Sequence, residues 1–124
     1  MHPLEKLEVY AQARTLAEAC RQATAAMSDR DLRWQLLRAV RSIAANLAEG
    51  AGSESQATFA RYIAIALASA KESECHVEFA RDTGALTPQT HADLTAQLRN
   101  LAPRLVRLLA AVRANAARRT RSHP

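Results

Sequence analysis

Glu72 and His76 stand four residues apart, and a carboxylate one helical turn from an imidazole is part of what a helix bundle needs to hold a metal. A di-iron bundle requires Glu-x-x-His on two helices and further inward glutamates. Here the spacing is four rather than three, no second copy exists, and His2, His91 and His123 fall at the termini or at a helix start. Neither a metal nor another cofactor is expected. Nucleophilic catalysis needs a Ser or Cys supported by a base and an orienting acid. Cys75 beside His76 does not supply it, because successive residues on a helix diverge by about 100°. Cys20 and Cys75 lack CxxC spacing, which leaves two small core or interface residues. The run Gly50-Ala51-Gly52-Ser53 lacks the Lys-Ser/Thr ending of a phosphate-binding loop and has no strand before it. The expectation is a protein that is not an enzyme.

One polar constellation remains. Leu36, Val40, Ile43 and Leu47 form an apolar stripe, while Arg38, Ser42, Asn46 and Glu49 form a second line roughly 130° away around the same helix. The next helix repeats the arrangement, with Phe59, Ile63, Ala66, Ala70 and Val77 in one line and Tyr62, Ile65, Ser69, Glu72 and His76 in another. Two organised faces on each of two helices imply neighbours on two sides. Ala39, Ala44, Ala45 and Ala48, with Ala64, Ile65 and Ala68, make the backs of these helices smoother than water requires, which suits subunit contacts. The Arg38 line therefore admits three readings: a solvated face, a hydrogen-bond network between helices or subunits, or a ligand site.

The elements that must carry these residues are marked by caps and breakers. With 28 Ala among 124 residues and 4% aromatics, the composition favours close-packed helices over strands. Pro3, Ser28-Asp29-Arg30-Asp31, a capping box at Ser53-Glu54-Ser55-Gln56, and Thr87-Pro88 read as helix starts. Gly50, Gly52 and Gly84 fall where periodicity stops and are expected to take the left-handed conformation that ends helices. Four helices follow, at about 3–27, 29–49, 54–83 and 88–116, and short connections make them an antiparallel up-down-up-down four-helix bundle. In the first, Val9, Ala13, Leu16, Cys20, Ala23 and Met27 form the packing seam; in the fourth, Leu94, Leu98, Leu101, Leu105, Leu108 and Val112 do. Pro103 either kinks the fourth helix or breaks it in two. Residues 1–116 make up the bundle, and 117–124 are expected to be a flexible basic tail.

Charge is distributed unevenly. Residues 1–93 carry ten Lys/Arg against twelve Asp/Glu, whereas 94–124 carry seven arginines and no acid. Those seven, Arg99, Arg104, Arg107, Arg113, Arg118, Arg119 and Arg121, are the candidate contacts to RNA or another nucleic acid. Copies of such a segment gathered by self-association would concentrate enough positive charge for salt-sensitive phosphate attraction. The five aromatics all fall within helices, so binding would be to the backbone and without sequence specificity. No stretch of about 20 apolar residues exists and MHPLEKLEVY lacks a signal-peptide pattern, so no membrane association and a cytoplasmic location are expected.

The stretch R38-A39-x-x-S42-I43-x-x-N46-L47-A48-E49-G50, followed by F59-x-R61-Y62-x-x-I65-A66-x-x-S69-x-x-E72 and then A80 with G84-x-L86, resembles the four-helix-bundle family encoded in intervening sequences of bacterial 23S ribosomal RNA genes. The resemblance covers nearly the whole chain. It implies a small cytosolic bundle that assembles with itself into a ring of five, with no established enzymatic activity. That family is similar in turn to the accessory proteins of diversity-generating retroelements, basic pentamers that partner a reverse transcriptase and its RNA. Carried over by position, the signature falls on Arg38, Ser42, Asn46, Glu49 and Gly50, with Phe59, Tyr62, Ser69 and Glu72 on the next helix. These are expected to be structural or interface residues: Arg38 paired with Glu49 or Glu72, Ser42 and Asn46 bridging, and Gly50 ending its helix. Arg41 and Ala51-Gly52 depart from the family pattern.

Overall fold

In the computed structural model, which describes residues 3–121, three helix starts are set by side chains. Asp29, Ser55 and Thr87 each accept a hydrogen bond from the backbone N–H three residues on, at 3.0 Å from Leu32, 3.1 Å from Thr58 and 3.1 Å from Thr90. Each satisfies a donor that the first helical turn leaves open. The helices are α1 (Pro3–Ala23), α2 (Arg30–Ala51), α3 (Gln56–Asp82) and α4 (Pro88–Arg121). Each packs on its neighbours in sequence and α4 closes against α1, while the diagonal pairs stay apart. That pattern is the up-down-up-down bundle.

Every helix turns its expected seam inward, except that Ala23 and Met27 of the first seam are only partly buried and Met27 lies past the end of α1. Val9, Ala13, Leu16 and Cys20 from α1, Leu36, Val40, Ile43 and Leu47 from α2, Phe59, Ile63, Ala66, Ala70 and Val77 from α3, and Leu94, Leu98, Leu101, Leu105, Leu108 and Val112 from α4 form one buried cluster. Burying each leucine or isoleucine contributes roughly 1.5–3 kcal/mol relative to leaving it in water.

Several boundaries differ from expectation. α1 stops at Ala23 instead of 27; Thr24, just past its end, is buried and its hydroxyl turns back to the Cys20 carbonyl at 2.8 Å. The Thr24 carbonyl then receives Arg33 Nε at 3.1 Å, tying the turn to α2. The start of α3 is capped by Ser55 and not by a box at Ser53, whose hydroxyl instead donates to the Gly50 carbonyl at the end of α2. Only Gly84 is left-handed, with φ 76°. Gly52 caps α2 at φ −84°, and Gly50 lies inside the helix, where a Cβ would stand 2.7 Å from Tyr62 Cβ and 2.8 Å from Phe59 Cδ1. The small residue at 50 is set by how closely α2 approaches α3, not by a turn. α4 runs unbroken through Pro103, which rules out two short helices, and continues to Arg121. The basic segment expected as a separate tail from 117 is thus continuous with the bundle helix as far as 121, and 122–124 lie outside the described residues.

Candidate functional site

The second line of α2 lies along its seam with α3. Ser42 Oγ and Ser69 Oγ are 2.9 Å apart, and Asn46 Nδ2 donates to both the carbonyl and the hydroxyl of Ser42, at 2.8 and 2.9 Å. Ser73, also buried, donates to the Ser69 carbonyl at 2.8 Å. One turn further along, Arg38 Nη2 meets Glu72 Oε1 at 3.3 Å, and His76 Nε2 stands 4.0 Å from the same oxygen, beyond hydrogen-bond reach and without another partner among the described residues. Gly50, Phe59 and Tyr62 pack against one another at the far end of the seam. Glu49 is exposed and makes no hydrogen bond or ion pair among the described residues.

This geometry changes what the polar line means. Arg38 and Glu72 keep 52% and 43% of their side-chain surface in water, so their attraction is screened and contributes about 0–1 kcal/mol. The buried hydroxyls of Ser69 and Ser73 are worth more per group, since a buried polar atom that loses its partner costs about 1–3 kcal/mol. The line is used within the chain and does not by itself require a second copy. Two large apolar side chains of α3 also stand in water: Ile65 is 46% exposed and Phe79 53%, both on the outward side of the helix with exposed Ala68 between them.

The α4 arginines do not act as one patch. Arg104 is bound into the bundle, donating to Gln12 Oε1 and Glu8 Oε2 at 2.8 Å each. Arg113 leans toward α3 beside Arg61, and Arg118 donates to Asn115. Arg99 and Arg107 are exposed and share the outward side of α4; Arg119 is exposed too, and the side chain of Arg121 lies outside the described residues.

A denser basic surface, not expected from the sequence, lies between the end of α1 and the start of α2. Arg21, Arg30, Arg33, Arg38 and Arg41 line an open groove of about 740 Å³ together with Trp34, which is 61% exposed, and no acidic residue lines it. Its signal was present in Arg30, Arg33, Trp34, Leu37 and Arg41, spaced for one flank of a helix. Counting charge over 1–93 concealed it, because the acids that cancel the sum lie elsewhere.

Among the described residues no three His, Cys, Asp or Glu come together as a metal site, and no helix is long and apolar enough to cross a membrane. Burial pushes the Cys20 thiol up to about 12, so it is not a nucleophile near neutral pH.

Residues 5–107 match the 23S rRNA-intervening sequence proteins as a family. The chain belongs to that family. A protein of unknown function from the S23 ribosomal protein family of Bacteroides thetaiotaomicron has the same fold, with a TM-score of 0.80 at 21% identity over 86% of this chain and 98% of the other. No curated protein matches the sequence. Within the family signature, the α2–α3 seam accounts for Arg38, Ser42, Asn46, Gly50, Phe59, Tyr62, Ser69 and Glu72 by contacts inside one chain, whereas Glu49 has no such role.

Proposed function

We propose that the chain is a non-enzymatic, cytoplasmic module that acts by assembling with copies of itself, in a ring of five, through the outward side of α3. The observation that supports this is the exposed pair Ile65 and Phe79, separated by about 21 Å along one helix face with small Ala68 between them. Two large apolar residues on one outward helix face, with small Ala68 beside the first, offer contact points for another helix. Glu72, seven residues from each, stands midway in the same line and carries the ion pair to Arg38 of α2. The test is the mass in solution by light scattering after size exclusion: a particle near five times 13.5 kDa is expected. Ile65→Glu with Phe79→Glu should return it to a single chain of unchanged helicity. Wild-type protein that stays at 13.5 kDa at high concentration refutes the reading.

A second reading, an RNA-associated accessory protein, draws support from the outward Arg99 and Arg107 and from the lack of any acid after Asp93. Contacts of this kind go to phosphates and weaken steeply with salt. RNA affinity that is absent at low salt, or that salt does not change, rules it out.

A further inference from the structure

The arginine groove between α1 and α2 has the composition of a site for a ligand that is anionic at one end and aromatic at the other. Of its five arginines, Arg21 is engaged with Glu18 through bonds of 2.7 and 2.9 Å, and Arg33 is held by the Thr24 carbonyl through Nε. Arg38 is drawn toward Glu72. Arg30 and Arg41 make no hydrogen bond or ion pair among the described residues, although Arg41 is near enough to help lower the Glu18 pKa. Asp29 is engaged as the N-cap of α2, and neither it nor Asp31 lines the groove. Several guanidinium groups therefore face one concave space with no carboxylate among its lining residues.

Trp34 decides which anion suits the groove. Arg38 sits over its ring at 5.5 Å from the centroid, yet the side chain remains 61% exposed, so an indole face is open to a second planar group. An exposed indole beside guanidinium groups stacks a nucleobase, and stacking tolerates any base because each presents a π-face. Met27 and Leu37 add apolar lining. A volume of about 740 Å³ falls in the range of small-molecule sites. Only Lys6 and Lys71 among the 17 basic residues are lysines, and the arginine fork matches phosphate oxygens two at a time.

We propose that this groove binds a nucleoside phosphate, with the base stacked on Trp34 and the phosphates held by Arg30, Arg33 and Arg41. The ligand chemistry is the same for a free nucleotide and for a unit of single-stranded nucleic acid. The site is separate from the outward arginines of α4.

Trp34 is the sole tryptophan of the chain, so its fluorescence reports on the groove directly. The probes are ATP, a short oligoadenylate, inorganic triphosphate and polyglutamate, each titrated at low salt and repeated at high salt. ATP or oligoadenylate should quench Trp34 saturably, and salt should weaken the binding. Calorimetry on Trp34→Leu should show affinity for both falling about tenfold, with inorganic triphosphate unaffected. Arg30→Ala with Arg41→Ala should weaken all three phosphate ligands. All these positions except Arg33 are exposed, and an unchanged circular dichroism spectrum confirms folding. Oligoadenylate that binds tenfold or more tighter than ATP identifies a strand as the ligand; equal affinity identifies the free nucleotide. Three results overturn the proposal: no quenching by either ligand, wild-type affinity in the double arginine variant, or polyglutamate competing equally while Trp34→Leu has no effect. Loss of quenching in Arg99→Ala with Arg107→Ala, the groove being intact, would move the binding to α4 and overturn it too.

Discussion

Gly50→Ala tests the closest approach in the bundle. Alanine in a helix is favoured over glycine by about 1 kcal/mol, so propensity alone predicts a gain. The added methyl would stand 2.7 Å from Tyr62 Cβ and 2.8 Å from Phe59 Cδ1, against an ordinary carbon–carbon separation of about 3.5–4.0 Å. The shortfall is about 1 Å. The Phe59 ring can swing, but Tyr62 Cβ is fixed to the backbone of α3, so the two helices must part along the Ser42–Ser69 seam. Overpacking of this kind costs about 1–3 kcal/mol. Because the blocking atom is a side-chain stem, the upper part of that range applies, and the net loss is about 1–2 kcal/mol, a fall in Tm of about 4–8 °C. Two controls isolate the cause. Gly52→Ala, at φ −84° with its nearest contact 3.7 Å away, should be neutral or gain up to about 1 kcal/mol. Gly84→Ala meets nothing within 4 Å but must adopt φ 76°, and should lose about 1 kcal/mol from backbone strain alone. Urea and thermal unfolding of the three variants measure all of this. A Gly50→Ala protein as stable as wild type would show that the helices do not meet as described.

Cys20 and the serine pair give two further outcomes. The buried Cys20 thiol has its pKa raised from 9.0 to about 12, so its contribution is fully present below pH 9 and is lost as pH rises toward 12, by at most about 1.4 kcal/mol per pH unit. Urea midpoints at pH 8 and above pH 10 should therefore fall further for wild type than for Cys20→Ala, and equal falls would contradict the burial; iodoacetamide should label exposed Cys75 in the native protein and Cys20 only after unfolding. Ser42→Ala removes the only side-chain partner that the buried Ser69 hydroxyl has among the described residues and should cost about 1–3 kcal/mol, while Ser42→Ala with Ser69→Ala should cost less than the sum of the single changes by about 1 kcal/mol. Strict additivity would mean that the two hydroxyls do not interact.

The bundle was legible because burial is periodic. Leu36, Val40, Ile43 and Leu47 announce their face whatever covers it, and so do the leucines of α4 from Leu94 to Leu108. Glycine carries no such pattern. Gly50, Gly52 and Gly84 each stand near the end of an apolar run, yet one yields to a neighbouring helix, one caps at an ordinary φ, and one is left-handed. Which of these holds depends on what lies across the gap, and a single chain read in order does not reveal that. The end of α1 is the same case from the other side: it comes at Ala23, a turn early, although Met27 continues the apolar spacing.

Charge is where reading along the chain misleads most. Summation by segment placed the basic surface in α4, because acids are absent there, and it passed over residues 1–93, where the signs cancel. Cancellation in a sum is not cancellation in space. Glu18 neutralises Arg21, Asp29 is engaged as a cap and Glu72 holds Arg38, which leaves Arg30 and Arg41 beside Trp34 with no hydrogen-bonded acid. In α4, by contrast, Arg104 is compensated by Glu8 from another helix, so a segment without acids of its own is less basic in the fold than in the sequence. At an ionic strength of 0.1 M charges are felt over about 10 Å, roughly two helical turns, and neighbours across helices count as much as neighbours in sequence over that distance. The effective charge of a surface in this bundle is therefore a property of helix flanks. On that measure the flank shared by α1 and α2 carries a basic groove that a sum over residues 1–93 hides, and α4 carries one arginine fewer than its sequence suggests.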